Sequence, residues 1–206
     1  MKRFHHTESF RRSPNGQTTG SIVSISPSLT TAVVVCFILA LPALYGQSLK
    51  PTDYDVKAAY LYNFGRFVEW PAKVPVDRSG PFAVCVLGQD PFGPSLDATL
   101  AGETIDGKAI VAKRISGTEE SGDCQILFLH LADDSRFGKI IAELDKKPIL
   151  TVSDMPQFIK RGGMIQFVPE EQKVRFEVNL TATQHAGLKL SSELLKVATA
   201  VKRNRD

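Results

Sequence analysis

The sequence predicts an α/β fold: a single domain whose mixed, mostly parallel sheet is flanked by helices and finished by a C-terminal antiparallel hairpin and helix. Three observations carry this. Short apolar runs at 82–87, 125–131 and 148–152 are separated by segments with helical spacing, the alternation expected of a parallel sheet. Residues 164–168 and 173–180 alternate clearly between apolar and polar and are joined by PEEQ, a hairpin pattern. The 206 residues, 43% hydrophobic and 23% charged, suit one domain plus an extension, and no repeat of solenoid length is visible.

The extension is residues 1–46. It holds Lys2, Arg3, Arg11 and Arg12 against Glu8, which accounts for the whole net charge of +3 and leaves residues 47–206 neutral. A neutral, evenly mixed domain lacks the basic field that a polyanion needs, so nucleic acid is not an expected partner. Residues 13–49 carry no charged side chain, and 32–43 (AVVVCFILALPA) are continuously apolar. A membrane span needs about 20 such residues. A basic start, a shorter run and small residues after it describe a secretory signal peptide. Cleavage after Gly46 would leave Gln47 first, although Leu44 is large for its place before the cut. The alternatives are an uncleaved anchor or a misread start, and either way the domain is expected to be exported.

Removing the signal removes Cys36 and leaves Cys85 and Cys124, in FAVCVLG and CQILFLH. An even count in an exported protein points to one disulfide, the alternative being two small buried hydrophobes. There is no C-x-x-C, and His130 and His185 stand alone, so neither zinc nor another cofactor is expected.

Along the domain, Thr52 or Asp53 can cap a helix running to about Glu69, ended by Pro71. Val56, Ala59, Tyr60, Asn63, Phe64, Phe67 and Val68 make its helical stripe, and Leu61, Tyr62 and Trp70 widen it, so much of its circumference should be buried. A strand at 82–87 leads through GQDPFG to a short helix near 94–100. A strand at 108–115, the polar loop SGTEESGD, a strand at 125–131 and a helix at 135–144 capped by Asp133 or Asp134 follow. After the strand at 148–152, Ser153-Asp154 opens a short helix that stops at Gly162-Gly163. The hairpin forms the sheet's edge. A final helix from Ser191 or Ser192 buries Leu194, Leu195, Val197, Ala198 and Val201.

Chemistry is sparse in this pattern. LGQDPFG sits where a phosphate loop would, but lacks G-x-G-x-x-G and a G-K-[ST] ending, so a tight turn explains it. His130, Asp133, Asp134 and Ser135 follow a strand end, where α/β folds place sites, yet a helix cap accounts for three of them. No nucleophile elbow or H-E-x-x-H occurs, and no enzyme is expected. Arg175, Glu177 and Asn179 make a polar strip on one hairpin face, either solvated or available to a partner.

Seven segments in order, VKAAYLYNFGRFVEWP (56–71), FAVCVLGQDPFG (82–93), CQILFLH (124–130), ILTVSD (149–154), GGMIQFV (162–168), VRFEVNL (174–180) and LSSELLKVA (190–198), resemble the YfiR family over nearly all of 53–203. The resemblance implies a YfiR-like periplasmic domain at 47–206 that catalyses nothing. It implies a repressor of the periplasmic sensor region of an inner-membrane diguanylate cyclase, lowering cyclic-di-GMP and so controlling biofilm and motility. An OmpA-like outer-membrane lipoprotein that sequesters the repressor is implied too, as is a homodimer for which the aromatic opening helix is a candidate contact. Cys85 and Cys124 fall where family members can carry a disulfide. The second bridge of some relatives has no cysteines here. Lys57, Asn63, Glu177 and Asn179, polar groups inside the two most family-like motifs, are the candidate partner- or ligand-binding residues. The competing function is a periplasmic small-ligand module serving a sensor kinase or transporter, with Asp90, Asp154, Glu177 and Asn179 lining a crevice at strand ends.

Overall fold

A computed structural model describes residues 50–71 and 80–203; the segment read as an export signal, 1–46, lies outside them. Helix α1 (Asp53–Phe67) opens the fold, and its first turn is closed by a capping box. The Thr52 hydroxyl accepts from the Asp55 N–H, and the Asp55 carboxylate accepts from the Thr52 N–H. Its buried line is Ala58, Leu61, Phe64 and Gly65, rotated from the expected stripe, so that Ala59 and Phe67 are exposed. Small residues explain the rotation: a Cβ on Gly65 would strike Ile105 and crowd Phe82, so the glycine lets the helix sit close over the sheet. The helix also ends earlier than expected. Val68 turns extended and forms β1 (Val68–Glu69), paired antiparallel with β9 (Lys189–Leu190).

Eight strands make the main sheet: β2 (Phe82–Gly88), β3 (Thr104–Ile105), β4 (Lys108–Ile115), β5 (Cys124–His130), β6 (Leu150–Ser153), β7 (Ile165–Glu170), β8 (Lys173–Asn179) and β10 (Ala200–Lys202). Their order is β10-β8-β7-β6-β5-β2-β4-β3. All neighbouring pairs are parallel except the β7–β8 hairpin and β3–β4. The mixed, mostly parallel α/β sheet therefore stands as the apolar runs imply.

Two details of the C-terminal end differ from the sequence reading. The last helix is only Ser192–Val197, and Val197 is exposed. The chain leaves it at Ala198, where Thr199 donates its N–H and hydroxyl to the Phe176 carbonyl, and Val201 joins a strand instead of a helix. That strand, β10, pairs with β8, so the hairpin is not the edge of the sheet.

Alternation sorts the sheet into two faces. Val84, Val86, Ile126, Phe128, Phe167 and Phe176 pack under α1 and the helix α2 (Pro94–Leu100). Ala83, Cys85, Leu87, Cys124, Leu127 and Leu129 pack under α3 (Phe137–Leu144). Cys124 and Leu127 share a face although they are three residues apart. A bulge at Gln125 makes this possible: Ala83 is level with Cys124, but Val84 is level with Ile126. The bulged Gln125 is buried, and its side-chain oxygen accepts the Ala83 N–H at 2.6 Å. Cys85 and Cys124 are thereby brought to a Cα–Cα separation of 5.9 Å and form a disulfide, both fully buried.

Candidate functional site

The five consecutive parallel strands run in the order second, first, third, fourth, fifth, and reverse direction of travel between β2 and β5. Ligands of open α/β sheets bind beyond the carboxyl ends of the strands at such a reversal. Here that point is closed. Gly88 lies so near the His130 carbonyl that a Cβ would collide with it, and its φ of 101° suits glycine. The Gln89 N–H donates to the same carbonyl at 2.9 Å. Above them Phe92 stands edge-on to Phe128 and Tyr54, at 4.8 and 5.5 Å between ring centres.

A polar centre sits one strand further along, around Asp154. β6 stops at Ser153, whose hydroxyl donates to the Leu129 carbonyl and accepts from the Met155 N–H. That turn holds the Asp154 carboxylate against α1, where Lys57 Nζ lies 2.6 Å away and the Tyr54 hydroxyl donates at 3.0 Å. His130 Nδ1, at the end of β5, lies 3.2 Å from the other carboxylate oxygen. The Lys57 and Asp154 side chains are only 12% and 15% exposed. Burial pushes the Asp154 pKa up, but the bond and charge of Lys57, with the bonds from His130 and Tyr54, outweigh it and hold it below the usual aspartate value. Burial and the neighbouring Asp154 charge push Tyr54 up to about 12. The group is an ion pair with its lone pairs filled, joining α1 to the ends of β5 and β6.

The four expected binding residues do not converge. Lys57 belongs to the Asp154 centre. Asn63, six residues on, donates to the Ala59 carbonyl of its own helix. Glu177 adjoins Phe176, which packs under α1, so Glu177 points to the opposite face, level with Gln166 and Ala200. Asn179 is buried, capping the helix α4 (Leu180–His185) through the Ala182 N–H and donating to the Ile159 carbonyl; it lines a hollow of about 500 Å³ with Thr151 and Met164. The imagined crevice of Asp90, Asp154, Glu177 and Asn179 is dispersed as well, since Asp90 accepts from Arg114 beside Asp97.

The cluster after β5 is divided among separate tasks. Asp133 accepts from Ser135, Asp134 accepts from Arg161, and His130 faces Asp154. Sequence reasoning singles out Lys57, His130 and Asp154 in three different groups and misses Tyr54, so it does not join Tyr54 to Asp154. They stand 100 residues apart, and the only local hint was the Ser-Asp pair at a strand end.

Among the described residues no helix is long and apolar enough to cross a membrane, and no group of three potential metal ligands occurs. The model of a family described as YfiR/HmsC-like matches residues 54–199, from Tyr54 of the polar centre to the Thr199 that anchors β10. Proteins of that family are periplasmic, non-catalytic regulators in cyclic-di-GMP signalling. Among solved structures the chain is similar to an ABC domain in complex with L-Trp from Streptococcus pneumonia, with 10% identity and a TM-score of 0.43. The likeness covers 59% of this chain and 55% of that one, and is too weak to carry fold or function across.

Proposed function

The chain belongs to the YfiR/HmsC-like family, and on that premise we propose that it represses an inner-membrane diguanylate cyclase by binding the cyclase's periplasmic sensor region. The observation that carries this reading is the extent of the family match, 54–199, which takes in the described fold from α1 to the residue before β10. A neutral domain with one buried disulfide, whose polar centre of Tyr54, Lys57, His130 and Asp154 is committed to itself, suits a binding protein better than a catalyst. In this reading residues 1–46 direct export, and an OmpA-like outer-membrane lipoprotein sequesters the repressor and releases the cyclase. The protein acts as a homodimer. Lys57, Asn63, Glu177 and Asn179 are proposed as contacts, Glu177 being the one whose half-buried side chain lies on the face away from α1.

Deleting the gene and measuring cellular cyclic-di-GMP tests this. A rise reversed by the full chain, but not by a chain lacking residues 1–46, is the expected result. No change in any growth condition would remove the repressor and leave the small-ligand module as the better reading.

A further inference from the structure

β6 ends at Ser153, level with Gln166, whereas β7 continues four residues further to Glu170. The hairpin therefore overhangs the sheet by roughly 13 Å at the rise of an extended strand. α1 begins beside this overhang, and a cleft of about 520 Å³ opens between them. That volume lies within the range that encloses small organic ligands.

The two sides of the cleft differ in chemistry. Pro169 of β7 and Val174 of β8 lie on the sheet face under α1 and, with the edge of the otherwise buried Phe167 behind them, provide an apolar floor. The inner end is the Lys57–Asp154 pair, already neutral as a unit. Lys50 and Asp53 line the cleft from the α1 side, and Val168, Gln172 and Lys173 from the hairpin side. Among the described residues neither Lys50 nor Lys173 has an ion-pair partner, and both are exposed. Three lysines against two aspartates leave the cleft with a single excess positive charge. Among the described lining residues there is no arginine to fork onto a phosphate, and the lysines act as point charges. One excess charge over an apolar floor suits a monoanion with an apolar body.

We propose that this cleft binds a small amphipathic carboxylate, its apolar part over Pro169 and Val174 and its carboxylate between Lys50 and Lys173. The site is separate from Glu177 and Asn179, on the other face of β8, and does not depend on the cyclase reading. A failed carboxylate site and an unchanged cyclic-di-GMP level are independent results.

The test is calorimetric and NMR titration of the purified chain with 3-phenylpropionate. Its neutral isostere 3-phenylpropionamide and plain acetate serve as controls for the charge and for the apolar body. Saturable binding of 3-phenylpropionate is expected, with shifts confined to residues of the cleft, and both controls binding about tenfold more weakly or less. Because Lys50 and Lys173 are exposed, K50Q/K173Q leaves the fold intact; it should weaken the carboxylate about tenfold and leave the amide unchanged. Equal binding of acid and amide, unchanged affinity in K50Q/K173Q, shifts elsewhere on the molecule, or no saturable binding would each overturn the proposal.

Discussion

Two ties hold the sheet of this protein, and they differ in kind. The Cys85–Cys124 disulfide joins β2 to β5, strands that already neighbour one another, within a fully buried face under α3. The Asp154 centre joins α1 to the ends of β5 and β6 with side chains that water still reaches. The covalent tie adds little that the strand ladder lacks in the folded state, and acts mainly by restricting the unfolded chain. The ionic tie acts in the folded state alone. It fixes where the start of α1 docks, and therefore where the cleft beside the hairpin opens.

The largest expected effect separates the two. The disulfide spans 39 residues, and closing a loop of that length is worth about 4 kcal/mol in the chain-entropy description. C85A/C124A should lose most of that in urea unfolding, with α1 docking unchanged by near-ultraviolet circular dichroism. A loss below about 1 kcal/mol would show that the strand ladder already supplies the constraint.

Next in size is Lys57→Met, which leaves Asp154 half-desolvated and uncompensated, for a loss of roughly 3 kcal/mol. K57M/D154L removes both charges and should return to within about 1 kcal/mol of the parent, because a buried pair is often no better than well-packed apolar residues. A double variant as unstable as K57M would shift the weight from charge to the hydrogen bonds of Tyr54 and His130.

Acid sharpens the contrast further. Asp154 has a folded pKa below its unfolded value, so its contribution is complete above the unfolded value and is lost as pH falls through the folded one. Urea midpoints of the parent should therefore drop as pH goes below about 4. C85A/C124A should keep that dependence, while K57M/D154L should lack the share due to Asp154. Parallel curves for all three proteins would mean that other carboxylates govern the acid limb.

The same contrast shows what can be read in the sequence. Apolar runs and their spacing reveal β2, β5, β6 and the hairpin, because burial on both faces leaves a compositional mark. Cys85 and Cys124 suggest their pairing by count once Cys36 is set aside with the expected signal, although the Gln125 bulge that puts them on one face leaves no pattern. The Asp154 centre is legible only in pieces: Lys57, His130 and Asp154 draw notice in three unrelated groups and Tyr54 in none, and only the order of strands brings them together. β1 and β10 escape for another reason. Two or three residues are too short for a period, and their form is set by the partners Lys189–Leu190 and Glu177–Asn179. Val201 has the same side chain in a helix stripe or a strand, and only its pairing with Val178 decides which.

The smallest effect concerns a third region, the turn of the hairpin, beside which the ion pair of Arg175 with Glu170, 3.7 Å apart, lies between exposed side chains. Between the paired residues Glu170 and Lys173 the hairpin turns through Glu171 and Gln172, with φ of 48° and 61°. Two successive left-handed residues are the type I′ geometry that asparagine and glycine favour, and neither Glu nor Gln is at ease there. E171N/Q172G should therefore raise stability by about 0.5–1 kcal/mol, read as a higher urea midpoint at unchanged slope. Gln172 also lines the cleft, so the substitution asks whether its side chain does more than its backbone costs. A lower midpoint would mean that the side chain braces the overhang against α1. The hairpin would then share the docking role held by Asp154, leaving the disulfide as the one tie indifferent to the cleft.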